Sequence, residues 1–241
     1  MAITFKGDAS EAQFLFQIAG NDLRVLDFTA EEQISHLFRV DGTFASEEEI
    51  TFDDVIGNEA LLIIRGPEAD RYFHGIISRF VLTGGKGRFL LYRARMVPRM
   101  WLLTLERDIR VFQNKTTKQI VEEVLKESGI TGDICEFRLK ESYEPREYCV
   151  QYRETDFNFI SRLVEEEGIF YFFEHKEDKH VLVFGDSTVN YKDIEIEPKV
   201  KFRATPGMAP EEEFVYRFSK SRQIRSGKMT VNDFFPEKPL V

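Results

Sequence analysis

Residues Tyr72–Val97 read YFHGIISRFVLTGGKGRFLLYRARMV, a period-two pattern on either side of a glycine-rich turn. On the first arm the spacing puts Phe73, Ile77 and Val81 on one face and Tyr72, Ile76, Phe80 and Leu82 on the other. Gly84-Gly85-Lys86-Gly87 is expected to turn the chain, and Arg88–Val97 to return as the second arm. Arms that are apolar on both faces belong in a closed barrel or in a sheet covered on both sides. The glycine cluster lacks the Gly-x-x-x-x-Gly-Lys-Ser/Thr spacing of a phosphate loop and leads into a strand, so it carries no nucleotide-binding reading.

The flanking sequence continues the strand pattern. Phe14, Phe16 and Ile18 alternate with Leu15 and Gln17, Gly20-Asn21-Asp22 marks a turn, and Leu23–Phe28 is again extended. Phe38, Val40 and Phe44 share a face, and Leu61–Ile64 is a short apolar run stopped by Gly66-Pro67. The 23 phenylalanines against a single tryptophan fit a sheet interior, because Phe adds apolar area with no polar atom to satisfy.

Beyond residue 112 the pattern changes. Thr116 and Gln119 form a capping box, Ile120, Val121, Val124 and Leu125 follow at helical spacing, and Gly129 ends the helix. A strand is expected at Tyr148–Tyr152. A second helix should start at Thr155 or Asp156, with a stripe of Phe159, Ile160, Leu163 and Val164 and an exit at Gly168. Ile169–Phe173 and Val181–Phe184 then read as a hairpin around His175–His180. From Tyr191 the pattern is extended again (Ile194, Ile196, Val200, Phe202, then Phe214–Phe218, Met229 and Val231). The expected fold is mostly β with an α+β insertion: a first barrel over 1–112, the insertion over 113–190, and the start of a second, incomplete barrel over 191–241.

The balance of 42 acidic against 33 basic residues gives a formal charge of −9, which disfavours nucleic acid as a partner. No apolar run is longer than Ala60–Ile64, well short of a membrane-spanning helix, and the first residues show no signal-peptide core. Cys135 and Cys149 are the only cysteines, which fits a reducing cytoplasm.

Catalytic patterns are weak. His175 and His180 flank a turn and face each other across the hairpin, but neither a cysteine nor a third histidine lies near them in sequence, so no metal site is expected. His74, within a strand, reads as a packed or hydrogen-bonded core histidine, and Cys149 as an inert buried thiol. There is no Gly-x-Ser-x-Gly elbow. The clusters Glu47–Glu49 with Asp53-Asp54, and Glu165–Glu167, read as solvated faces. The latter lies in the last turn of a helix, where the macrodipole disfavours anions. Arg162 or a packed strand offsets that cost, or else the acidic end docks on a basic patch of a neighbouring chain. No cofactor and no catalytic, metal-binding or partner-binding residue is assigned.

The stretch Arg146–Phe173, REYCVQYRETDFNFISRLVEEEGIFYFF, closely resembles the hub module of the VgrG spike family of type VI secretion systems, itself related to the baseplate hub of contractile phage tails. The resemblance rests on the strand Tyr148–Tyr152, the entry Arg153–Asp156, the pair Arg162-Leu163 and the exit Glu166–Phe173. It is supported by His74-Gly75-Ile76, by Phe112–Gly129 and by Asn232–Pro239, where Pro236 departs from the family pattern. It implies a structural role: two tube-like barrels per chain and three chains per ring, so that six barrels match a hexameric Hcp-like tube, with a spike beyond. Baseplate and effector proteins are the other implied partners. Membranes are met only by mechanical puncture, and assembly in the cytoplasm precedes export by the machine. A family hub continues past residue 241 into the rest of the second barrel, an oligonucleotide-binding-like fold and a needle, so the chain is expected to be a fragment. The alternatives are the hub of a contractile phage tail and, more remotely, a cell-wall glycan hydrolase built on paired carboxylates.

Overall fold

The computed structural model describes residues 14–66, 69–191, 200–202, 214–215, 217–224, 227–228 and 230. Its first part is a closed antiparallel barrel of six strands: β1 (Phe14–Ile18), β2 (Asn21–Glu31), β3 (Arg39–Ser46), β4 (Glu59–Ile64), β5 (Arg71–Lys86) and β6 (Phe89–Val97). Their order around the barrel is β1-β2-β3-β6-β5-β4, and β4 closes it by pairing with β1 through Phe16↔Leu62. Closure leaves no unpaired edge. The alternating apolar residues fill the interior: Phe16 stacks on Phe44 at 3.9 Å and Phe80 on Tyr92 at 4.8 Å, with Leu23, Val40, Leu62, Phe73 and Ile77 around them. The buried Tyr92 hydroxyl accepts the N–H of Ile50 at 3.0 Å.

The long hairpin differs from its sequence pattern in two ways. The β5–β6 register shifts between Ile77 and Arg79, so one extra residue moves the later side chains to the opposite face. Phe80 therefore joins Phe73 and Ile77 in the core, and Val81 leaves that face. The turn also comes later than expected. Gly84 to Lys86 still pair with β6, and the chain reverses at Gly87-Arg88, where Gly87 has φ +64°. That positive φ is what glycine supplies at no steric cost.

After a short 3-10 helix (Arg99–Thr104), β7 (Arg107–Lys115) runs through residue 112 and pairs antiparallel with β9 (Arg146–Thr155). Between them lie α1 (Thr117–Glu127) and β8 (Cys135–Arg138). After them come α2 (Asp156–Glu166), β10 (Phe170–His175) and β11 (His180–Gly185), in a sheet ordered β10-β11-β8 with β8 parallel to β11. Both helices begin and end as their sequence signals predict. Thr116 accepts the Gln119 N–H while Gln119 Oε1 accepts the Thr116 N–H, and Thr155 accepts the Asn158 N–H. Gly129 and Gly168 take φ +72° and +71° one residue past each C-cap. The next amides, Ile130 and Ile169, return to Leu125 and Val164, the Schellman arrangement. The apolar faces of both helices meet Met100, Leu103, Phe112, Tyr171, Leu182 and Phe184 in a core of their own.

Within 191–241, the strands among the described residues are the short parallel pair β12 (Lys201–Phe202) and β13 (Phe214–Val215), and Arg217 and Phe218, expected to extend the latter, lie outside any strand. The strands expected around Ile194, Ile196, Met229 and Val231, and the segment Asn232–Pro239, lie outside the described residues.

Candidate functional site

The most chemically distinctive place among the described residues is the seam where the barrel meets the α+β part. His74 sits on β5 with its side chain pointing out of the barrel, because it is one residue out of phase with the inward-facing Phe73. His175 and His180 are directly paired at the turn end of the β10–β11 hairpin, as their spacing predicts. Sequence proximity offered them no third histidine, but the fold supplies one across more than a hundred residues. His74 Nδ1 lies 3.2 Å from His180 Nδ1, and the His74 N–H donates to His175 Nδ1 at 3.1 Å. The Arg99 N–H donates to His180 Nε2 at 3.0 Å, and His175 Nε2 meets Glu32 Oε1 at 3.1 Å. Phe38 fills the gap between the rings, edge-on to Phe173, His175 and His180. Ser35 adds a main-chain link, its N–H donating to the Tyr171 carbonyl at 2.7 Å. Next to His74, Gly75 lets β5 lie close against β6 within the barrel: a Cβ there would lie 2.7 Å from both Met96 Cγ and the Val97 carbonyl.

The electrostatics favour the neutral forms of His74 and His180. Burial pushes the His180 imidazole down to about 3, reinforced by the nearby His74, His175 and Arg99. Burial also lowers His74, against the pull of Glu59. Burial raises the Glu32 carboxyl, but the contacts with His175 and Arg71 outweigh it and hold the group below the usual range. Each ring nitrogen named above already has a protein neighbour, and among the described residues no group of three His, Cys, Asp or Glu side chains has metal-binding geometry.

The other sequence candidates resolve into structural roles. Arg146 on β9 binds Glu166 at 3.0 Å and Glu167 at 2.7 Å, so a packed strand neutralises the acidic helix end. Arg162 pairs instead with Glu154. Thr117 completes that cluster by donating to Glu167 and accepting from Arg146 Nε. Sequence reading missed a buried network in the second core: Arg110 meets Asp156 at 2.7 Å, and Gln151 joins both. The chemical signal for it was the helix-initial Asp156 itself. Cys149 is buried and Cys135 half-buried, and burial raises both thiols, Cys135 to about 12. Neither environment yields a thiolate nucleophile at neutral pH. Glu47–Glu49 and Asp53-Asp54 are exposed. On the outer face of the β7–β9 ribbon, Ile109, Val111, Tyr148 and Tyr152 are all more than half exposed.

Comparison with known proteins agrees with this architecture. Residues 31–241 match the model of the phage tail baseplate hub (GPD) family. The type VI secretion system spike protein VgrG5 of Pseudomonas aeruginosa is 34% identical over 237 residues, covering 97% of this chain and 30% of that protein. VgrG1b of the same organism is 32% identical over 225 residues, covering 90% and 29%. The chain thus spans about a third of the length of the curated relatives it matches. Among solved structures, the E. coli c3393 protein is described as a component of the type VI secretion system with structural similarity to the T4 phage tail proteins gp27 and gp5. It superposes with a TM-score of 0.66 at 31% identity, covering 78% of this chain and 51% of that one. By its closed six-stranded barrel, its α+β companion and its sequence, the chain belongs to the phage tail baseplate hub family and resembles the VgrG spike proteins of type VI secretion.

Proposed function

We propose that this chain is the hub portion of a spike in a contractile injection machine, with a mechanical and assembling role and no catalysis. The observation that carries the proposal is a closed barrel fused to an α+β unit within a chain matched over 97% of its length by a secretion-spike relative. Three chains form a ring that seats an Hcp-like hexameric tube at one end and a puncturing spike at the other. Baseplate and effector proteins attach to this hub, which assembles in the cytoplasm and leaves with the tube when the machine fires. A threefold ring of two-barrel chains presents six similar surfaces, which is the geometric condition for a closed joint with a sixfold tube.

In this reading the first barrel ends at Val97 rather than near residue 112, because β7 pairs with β9. The insertion follows, and residues 191–241 begin the second barrel. The hub of a contractile phage tail shares this architecture and differs in the tube protein that it seats. The test is co-sedimentation with preformed tube rings from a type VI machine and from a phage tail. Selective retention on the first supports the spike-hub reading, selective retention on the second supports the phage alternative, and failure on both refutes the hub role.

A further inference from the structure

The barrel and the α+β part have separate cores, and the seam between them is fastened by hydrogen bonds that only neutral imidazoles can make. The tautomers follow from the main chain, since an amide N–H can only donate. Arg99 donates to His180 Nε2, so the His180 proton sits on Nδ1 and points at His74 Nδ1. His74 then carries its proton on Nε2, 3.9 Å from Glu59. The His74 N–H donates to His175 Nδ1, so His175 donates from Nε2 to Glu32. A second proton on any of the three rings must occupy the nitrogen that is now an acceptor, and that nitrogen faces an N–H.

We propose that this three-histidine cluster is an acid-released latch, which holds the α+β part against the barrel at neutral pH and lets it swing away when the rings become charged. The charged groups around it come from every packed element. On the barrel side Glu59 faces His74, and Glu32 faces His175 while Arg71 holds Glu32 at 3.0 Å; Arg99, in the link between the barrel and the α+β part, pairs with Glu59 at 3.2 Å. From the hairpin turn, Asp178 acts on His74 in the same sense as Glu59. His180 lacks such help: the groups acting on it are His74, His175 and Arg99, all cationic or able to become so.

The sign follows from these surroundings. Closed, His180 stays neutral down to about 3; opened to water it returns to the ordinary value of 6.5. Between those limits the open form holds a proton that the closed form lacks, so opening is favoured as pH falls. His180 alone makes the opening equilibrium rise by up to tenfold per pH unit below about 6.5, and His74 acts in the same direction. Above that range the latch is insensitive to pH.

The test is residue-resolved amide exchange on the whole chain at pH 7, 6 and 5, expressed as protection relative to the intrinsic rate. The amides of Ser35, His74 and Arg99 should lose protection steeply below about pH 6.5, while Leu62 in the barrel and Val124 in α1 keep theirs. Flat protection at the seam, or loss in step with Leu62, overturns the latch. His180→Gln supplies a side-chain oxygen in place of Nε2 to accept the Arg99 N–H but cannot titrate, so it should reduce the pH dependence to the share that His74 carries; an unchanged slope overturns the role of His180 in the latch. Nitrogen-15 spectra of the native rings give an independent check. They should show His180 protonated on Nδ1 and bare on Nε2 at pH 7, and the opposite tautomer overturns the proposal.

Discussion

Replacing Gly168 by valine isolates one physical term. Gly168 follows the C-cap Glu167 of α2 with φ +71°, and its N–H and that of Ile169 return to the Glu165 and Val164 carbonyls at 3.1 and 2.8 Å. A Cβ built there meets nothing within 4 Å, so overlap with neighbours contributes no penalty. What remains is the left-handed backbone itself, about 1–2 kcal/mol for a residue with a Cβ, with a β-branched side chain at the upper end. For a chain of this size, 2 kcal/mol corresponds to a fall of about 4–8 °C in Tm. Urea unfolding followed by far-ultraviolet circular dichroism should show a lower midpoint with an unchanged slope. Gly168→Asn should be milder, because Asn tolerates this region. A valine variant with the parental midpoint, or an asparagine variant as damaged as valine, would refute the conformational argument.

Four further expectations rest on buried or clustered groups. Tyr92→Phe removes the acceptor of the Ile50 N–H in a fully buried site, and should cost about 1–3 kcal/mol in the same unfolding assay; a neutral result would show that water reaches that amide. Asp156→Ala removes the buried partner of Arg110 and Gln151 and leaves Arg110 only the exposed Asp108 and Glu127 with which it also pairs, with a loss of about 3 kcal/mol; a loss within error would mean that those two exposed carboxylates suffice. Charge reversal of Glu166 and Glu167 to Lys should lower the stability of the chain itself by removing both partners of Arg146, and unchanged stability combined with impaired assembly would restore the docking role. Both thiols should resist iodoacetamide at pH 8 until urea is added, since burial raises each of them; rapid native labelling of Cys135 would contradict its placement.

What sequence could reveal depended on how local the signal was. The capping box at Thr116 and Gln119, the exits at Gly129 and Gly168 and the stripe from Phe159 to Val164 are complete within a dozen residues, and all lie where spacing put them. The face of Val81 was illegible because the shift near Ser78 is set by the partner strand rather than by the local pattern. The histidine cluster was half legible. His175 and His180 pair across one hairpin, but His74 reaches them only because the α+β part folds back on β5. For Glu166 and Glu167 a packed strand was among the expected accounts, but its residue could not be named, since Arg146 precedes α2 by a strand and meets its far end only after β9 packs alongside. The family resemblance, carried by a contiguous stretch, needed no such long-range information.

The central claim, a ring-forming hub, is tested most directly by the native mass of the chain from light scattering across a concentration series reaching hundreds of micromolar. The account predicts convergence on about 85 kDa, three copies of the 28.2 kDa chain. A mass fixed at one copy throughout would contradict a ring interface within these residues, and a plateau at two copies would contradict threefold assembly itself.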